Sequence, residues 1–488
     1  MNMNNSYIYK NKAVLILLLI FTVLHIPLLF LGPVNIEFAF ADLLKYYKNG
    51  NEIFLEQFFF YQANTVGMSF LGWLVNIESL SIDEILLIRT LNLIGSVIFI
   101  LSLISITNFF KIKNIFLITL FIIVSPLFWT YSSRATADLF PAALAILSYA
   151  VFIKNNDYLY KIILSAFIFG FSLILKPLIL FMYIFFIGLY FIDEKKFTFI
   201  KLLTFCLISF LILSIFLSQI YLNYDYFITS NKFLSVLLKT SLDISVNNFI
   251  LYAGYVTLAL SPMIFMGGYL KSIYKYNFVS IICFSVIFVL GYLYINDTGE
   301  MNFSFLETII PKSIFNGILM TGAIIFLSSS YFNSKYIISK FDNKKYKYFF
   351  ISILVSLILL SFLRPSQRYI LILLPFCLFL LPEVNFKNKK VLYTFAALLF
   401  FIDITISLNQ YLKSAASKSM LEYIKNNKIV EATDPGAITG SYGNYFFLHR
   451  EKEKKYVVVS YIDPDSIFSS SRNFLFIKHD YSLIEFKQ

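Results

Sequence analysis

Residues 13–50 read AVLILLLIFTVLHIPLLFLGPVNIEFAFADLLKYYKNG. The first half, Ala13 to Leu31, is an apolar run free of Lys, Arg, Asp and Glu. A bilayer core needs roughly 20 such residues as a helix, and backbone groups in lipid must be paired within the segment. The second half turns at Gly32-Pro33 and at once carries two carboxylates, Glu37 and Asp42, among Phe38, Phe40, Leu44 and Tyr47. The alternation predicts a helix lying along a membrane surface. Lys10 and Lys12 precede the first run. The run is long enough to span and no small-residue cleavage site follows it, so an uncleaved first helix is expected rather than a signal peptide.

The same apolar pattern recurs along the chain. Hydrophobic residues make up 59% and charged residues 14%, against about 25% charged in soluble domains, and the mean hydropathy is +0.76. About thirteen runs approach spanning length. They cover 13–31, 85–110, 115–130, 137–153, 159–175, 177–192, 199–221, 249–270, 278–295, 313–331, 348–363, 369–381 and 391–408. Alternate connections are basic: Lys111 and Lys113, Lys154, Lys195 and Lys196, Lys271 and Lys275, Lys340 to Lys347, Lys387 to Lys390. That alternation predicts a cytoplasmic N-terminus. It also explains the net charge of +12 as a topology signal, and nucleic acid is not an expected partner. Cys206, Cys283 and Cys377 lie singly in apolar runs, and His25, His449 and His479 are dispersed, so neither a disulfide framework nor a His/Cys metal site is indicated.

Three connections on the other side are long: 32–84, 222–248 and the tail from 409. The tail pairs a helical stretch at 417–427 with strand-like 456–461 and 473–478, which reads as a small α/β domain. The expected organisation is therefore an all-α polytopic membrane domain over 1–408, with a large first external loop, followed by a small extracytoplasmic α/β domain over 409–488. The sequence GSYGNY at 440–445 lacks the Lys and Ser/Thr of a phosphate-binding loop and reads as a turn.

Ionisable residues at or within membrane helices are costly and mark functional sites by default. Those predicted on the external side are Glu37, Asp42, Arg134, Asp138, Lys176, Arg364 and Arg368, with Tyr369 beside the last. Carboxylates serve as bases, and Arg and Lys stabilise a phosphate leaving group, Arg in a bidentate manner.

Four segments resemble a known family in order along the chain. Glu37, Phe40, Ala41 and Gly50 match its first external loop, with Ile36 where the family usually carries Asp. Arg134 and Asp138, in SSRATADLF, match its Arg-x-x-x-Asp segment. Lys176, in LKP, matches a lysine between the fifth and sixth helices, and RPSQRYILILLP at 364–375 matches an Arg-Tyr segment. The chain resembles GT-C-type membrane glycosyltransferases, of the protein O-mannosyltransferase and lipid A aminoarabinose-transferase kind. The resemblance implies transfer of a sugar from a polyprenyl-phosphate donor to a lipid, glycan or protein acceptor. The site would face the outer side of a bacterial or archaeal plasma membrane. Glu37 or Asp42 would be the catalytic base, and Asp138 would position the acceptor or a divalent ion. Lys176, Arg368 and Arg134 would hold the lipid phosphate, with Arg364 and Tyr369 beside them. A divalent metal ion is the one cofactor these carboxylates admit. The alternative is a flippase or transporter of the cell-envelope glycan pathway, which predicts charges near the bilayer midplane. A polymerase of the O-antigen type would instead place its long external loop late in the chain.

Overall fold

A computed structural model describes residues 3–30, 83–112, 115–155, 158–224, 248–256, 344–362, 367–377, 389–429, 432–433, 456–459, 461–474 and 477–485, with the isolated positions 37, 67, 71, 245, 246 and 317. The expected spans 278–295 and 313–331, most of the loop 32–84, and the segment 225–244 therefore lie almost wholly outside the described residues. So do the site candidates Asp42 and Arg364.

The described chain is mostly helical, with a small C-terminal sheet. The helices are α1 (Met3–Leu29), α2 (Glu84–Phe109), α3 (Ile115–Ile123), α4 (Pro126–Ser133), α5 (Leu139–Asn155), α6 (Leu159–Leu175), α7 (Tyr183–Ile192), α8 (Phe199–Tyr224), α9 (Lys344–Ser361), α10 (Leu374–Cys377) and α11 (Lys389–Asn426). Among the described residues, three segments are long and apolar enough to cross a membrane: Lys12–Leu29, Glu84–Phe109 and Phe199–Ser218. The pair α3 and α4 forms a fourth if its 59° bend is taken as one broken span. Leu139–Lys154, Leu159–Leu175, Pro177–Ile192 and Lys347–Ser361 are apolar but shorter.

Two prolines decide where helices break. The run 115–130, expected as one helix, is interrupted at Ser125, which takes an extended conformation with ψ 124°. Pro126 follows it, and a residue before proline is driven out of the helical region. The same effect acts at Lys176, with φ −151° and ψ 94°, just ahead of Pro177. The chain resumes as a 3-10 turn, Pro177–Met182, before α7. Lys176 is thereby left at a break between helices.

Close packing then brings the broken ends together. A Cβ on Gly95 of α2 would lie 2.9 Å from the Phe140 Cα, so α2 and α5 touch backbone to backbone there. Ser148 and Ser165 each donate a hydroxyl to the other's carbonyl at 2.8 Å, which ties α5 to α6. Such small-residue and hydroxyl contacts are the means by which helices adhere in lipid. Phe152, Phe169, Phe186 and Phe205 fill the space behind them, with the Phe186 and Phe205 rings stacked at 4.1 Å.

Helix α11 contains no Gly or Pro, and it runs unbroken across the expected boundary at 409. Its second half forms the floor of the C-terminal sheet. The strands are β1 (Ala432–Thr433), β2 (Tyr456–Val459), β3 (Phe468–Phe474) and β4 (Ile477–Glu485), in the order β1-β2-β4-β3, with β1 parallel to β2 and the other pairs antiparallel. The stretch 473–478, expected as one strand, is instead the end of a hairpin, with Phe474 paired to Ile477. Ala416, Met420 and Ile424, at helical spacing, pack under Val458, Tyr481 and Leu483.

His479 fastens β4 to α11 through a 2.7 Å hydrogen bond between its Nε2 and Asn409 Oδ1. Burial first, then Lys413, push its imidazole from 6.5 down to about 4, against the pull of Asp480. The unfolded chain takes up a proton near pH 6.5, whereas the folded domain resists until about 4. The stability of the sheet should therefore fall as pH drops through that window. Amide-exchange protection of β4, corrected for intrinsic rates, should show this loss, and His479→Gln should flatten it.

Asp403 is completely buried on α11, and neither of its carboxylate oxygens has a partner among the described residues. It lies on the same helical stripe as Phe400 and Ser407, both of which meet Trp129. Burial of an unpaired polar group costs about 1–3 kcal/mol. Asp403→Leu is expected to raise the thermal stability of the detergent-solubilised protein, and a lower stability would show that the carboxyl makes a contact worth more than this cost.

Candidate functional site

The described candidate residues meet at one end of the helical bundle, in two adjoining clusters. The first is built on α2. Asp83 caps this helix, its side chain accepting from the Leu86 amide at 2.8 Å, a standard N-cap bond. The start of the helix is thereby fixed, and Arg89 and Asn92 follow within the next turns.

Arg89 grips Glu37 with two parallel bonds, Nε to Oε1 at 3.0 Å and Nη2 to Oε2 at 2.7 Å. Its Nη1 donates to the Leu28 and Leu29 carbonyls at the end of α1, at 3.3 and 3.2 Å, where helical carbonyls lack internal partners. Glu37 Oε1 also accepts from the Ala135 amide at 2.7 Å. Both residues are buried. Three elements (the end of α1, the first long loop and the connection 134–138) are joined through this one ion pair. Both oxygens of Glu37 are engaged, which suits a residue that holds a loop in place.

Asn92 does the rest of the fastening. Its amide donates to the Arg134 and Thr136 carbonyls at 2.7 and 2.8 Å, and its oxygen accepts from the Phe140 amide at 3.0 Å. Phe140 is in the first turn of α5, whose free amides are usually capped by the residue just before the helix. That residue is Asp138. Because Asn92 satisfies the Phe140 amide from another helix, the Asp138 carboxylate remains available for the second cluster.

There Asp138 Oδ1 forms an ion pair with Lys176 Nζ. Asp138 Oδ2 faces Arg368 Nη1 at 3.6 Å, too long for a hydrogen bond. Lys176 Nζ and the Arg368 guanidinium lie 4.9 and 5.4 Å from the centre of the Tyr369 ring, within cation–π range. Asp138 and Lys176 are buried, whereas the Arg368 side chain is 15% exposed. Three polar atoms here lack a hydrogen bond among the described residues: the acceptor Asp138 Oδ2, the donor Arg368 Nε and the neighbouring Thr136 hydroxyl.

Of the expected site residues, Asp138, Lys176, Arg368 and Tyr369 converge on one another. Glu37 lies in the neighbouring cluster, and Arg134, half-buried, contributes its carbonyl to the shared loop. The first long loop also touches the lysine end of α6: a Cβ on Gly67 would overlap the Ile174 carbonyl. Arg89 and Asn92 are not among the residues expected from sequence. An available signal is Arg89 itself, an ionisable residue just inside an apolar run. The surroundings of Asp138 do not suit a divalent metal ion, because its carboxylate already faces two fixed cations. Among the described residues no group of three His, Cys, Asp or Glu side chains comes together.

The described helices and this one-ended polar site define a helical protein with long apolar helices, compatible with residence in a membrane. Compared with known proteins, the chain matches no family model, no curated protein and no solved structure.

Proposed function

We propose that this chain is a membrane glycosyltransferase that moves a sugar from a polyprenyl-phosphate carrier to an acceptor at the outer face of the membrane. The observation that carries the reading is the Asp138–Lys176–Arg368 cluster. It holds two fixed cations against one carboxylate, with an open acceptor on Asp138 and an open donor on Arg368. An excess of positive charge fits a phosphate, and Arg and Lys clamps stabilise the charge that develops on a leaving phosphate.

In this mechanism the acceptor oxygen attacks the anomeric carbon as the bond from that carbon to the phosphate oxygen breaks. The electron pair leaves with the polyprenyl phosphate, which Lys176 and Arg368 hold. Asp138 Oδ2 accepts a hydrogen bond from the attacking hydroxyl and orients it. The proton passes to a carboxylate, for which Asp42 is the proposed base. Glu37 keeps its loop docked through Arg89. Attack opposite the leaving group inverts the anomeric configuration. Among the described residues the ion-paired charges gather at one end of the bundle, which supports this reading over a flippase, whose path would carry charges near the bilayer midplane.

The test is incubation of purified protein with radiolabelled polyprenyl-phosphate sugars and a membrane extract. Release of polyprenyl phosphate, with label passing to an acceptor, is the expected result. Absence of turnover for every donor, with labelled lipid crossing proteoliposome bilayers instead, would replace the transferase with the flippase.

A further inference from the structure

The proposed reaction gives a task to two of the three open atoms beside Asp138 and none to the third, the Thr136 hydroxyl. Thr136 is 2% exposed, and its main chain is held at both polar atoms. Its amide donates to the Arg134 carbonyl at 2.9 Å, and its carbonyl accepts from Asn92 at 2.8 Å. The hydroxyls just before it in sequence find backbone acceptors. Ser132 Oγ donates to the Trp129 carbonyl at 2.6 Å, and Ser133 Oγ to the Thr130 carbonyl at 3.4 Å. Thr136 Oγ has no such bond. It is directed at the Asp138 carboxylate without forming a hydrogen bond to it. Buried polar groups are satisfied as a rule, so two neighbouring open atoms call for a further atom that bonds both.

The bonding capacity of these atoms selects the partner. A carboxylate oxygen only accepts, an arginine nitrogen only donates, and a threonine hydroxyl donates once. A substrate alcohol matches this set. It gives its proton to Asp138 Oδ2 and takes the Thr136 proton on one lone pair, and its second lone pair stays free for attack. Arg368 Nε is then left for an oxygen of the donor phosphate. A phosphate acceptor does not match. It carries about −1.5 to −2 charges at neutral pH and would set them against the Asp138 carboxylate, like charge facing like. The two cations that could offset it, Lys176 and Arg368, already face Asp138 and are assigned to the donor.

We infer that the acceptor is an uncharged hydroxyl bound by both Thr136 Oγ and Asp138 Oδ2, which makes Thr136 a substrate-binding residue of this site. The inference rests on the transferase reading and narrows its acceptors to alcohols, phosphates being excluded. The acceptor enters from the side of Arg368, whose side chain is 15% exposed, against 1% for that of Asp138. The product is a glycoside: the alcohol oxygen ends on the anomeric carbon, the electron pair on the departing phosphate and the alcohol proton on a carboxylate.

The experiment uses the purified full-length protein, radiolabelled polyprenyl-phosphate sugar and a membrane extract as the source of acceptor. Labelled product is separated from the remaining donor and treated with mild acid, which cleaves a sugar from a phosphate but leaves an ordinary glycoside intact. Retention of the label on the acceptor is the expected result. Release of free sugar would show a phosphate acceptor, which overturns the inference and leaves the transferase standing. Absence of product from every donor removes the transferase reading, and the inference falls with it. The part played by Thr136 is read by varying extract and donor in turn. Thr136→Val should raise the amount of extract needed for half-maximal rate roughly tenfold, the weight of one hydrogen bond, and leave the KM for donor unchanged. Thr136→Ser, which keeps the hydroxyl, should recover most of the loss. An unchanged need for extract in Thr136→Val, a shift in the donor KM alone, or a loss that Thr136→Ser does not recover overturns this role.

Discussion

Arg89→Leu is expected to destabilise the protein by about 3–5 kcal/mol, the range for removing one partner of a buried ion pair. The loss is large because the carboxylate left behind stays buried. Glu37 is 1% exposed and would keep the Ala135 amide while losing both guanidinium bonds. The Leu28 and Leu29 carbonyls would lose the same donor. Arg89→Lys should recover little, because an ammonium cannot reproduce the two parallel bonds. The double variant Arg89→Leu, Glu37→Leu should recover much of the loss, because both charges leave together. Unfolding of the detergent-solubilised variants, followed by circular dichroism, measures this cycle. A double-variant loss equal to the sum of the two single-variant losses would show that the pair adds nothing beyond its packing.

Lys176→Met should abolish donor turnover as well as cost stability. Without the lysine, Asp138 Oδ1 has lost its ion-pair partner, and Arg368 at 3.6 Å is the remaining cation seen facing the carboxylate. Loss of one group that stabilises charge in the transition state typically lowers kcat by about 10²–10³. Adding Asp138→Asn should restore much of the stability, since the stranded carboxylate is removed, but should not restore turnover. Restored turnover in the double variant would remove Lys176 from the proposed mechanism.

The candidate site is legible in the sequence in part. Asp138, Lys176, Arg368 and Tyr369 stand out because charge beside apolar runs is costly, and the structure brings these residues together. Glu37 also stands out, and Arg89 carries the same signal, but their pairing does not. Arg89 is 52 residues away in sequence, and Asn92 lies 42 to 48 residues from the groups it holds. Neither belongs to a local pattern. The helix break at Pro177 is legible as a boundary between two apolar runs, whereas the break at Pro126 is hidden inside a run that stays apolar on both sides of it.

By itself the sequence determined what is local: apolar runs that must be helices in lipid, the boundary at Pro177, and the strand-forming tail. These follow from backbone sterics and solvation, which act over a few residues. The tertiary structure alone decided which polar groups meet. Asn92 caps α5 from another helix, so Asp138 turns to Lys176 rather than to its own helix, and Glu37 is held by Arg89. Such pairings depend on how helices approach one another through contacts as close as Gly95 against Phe140. That approach is set by complementary surfaces far apart in the chain, which no local spacing encodes.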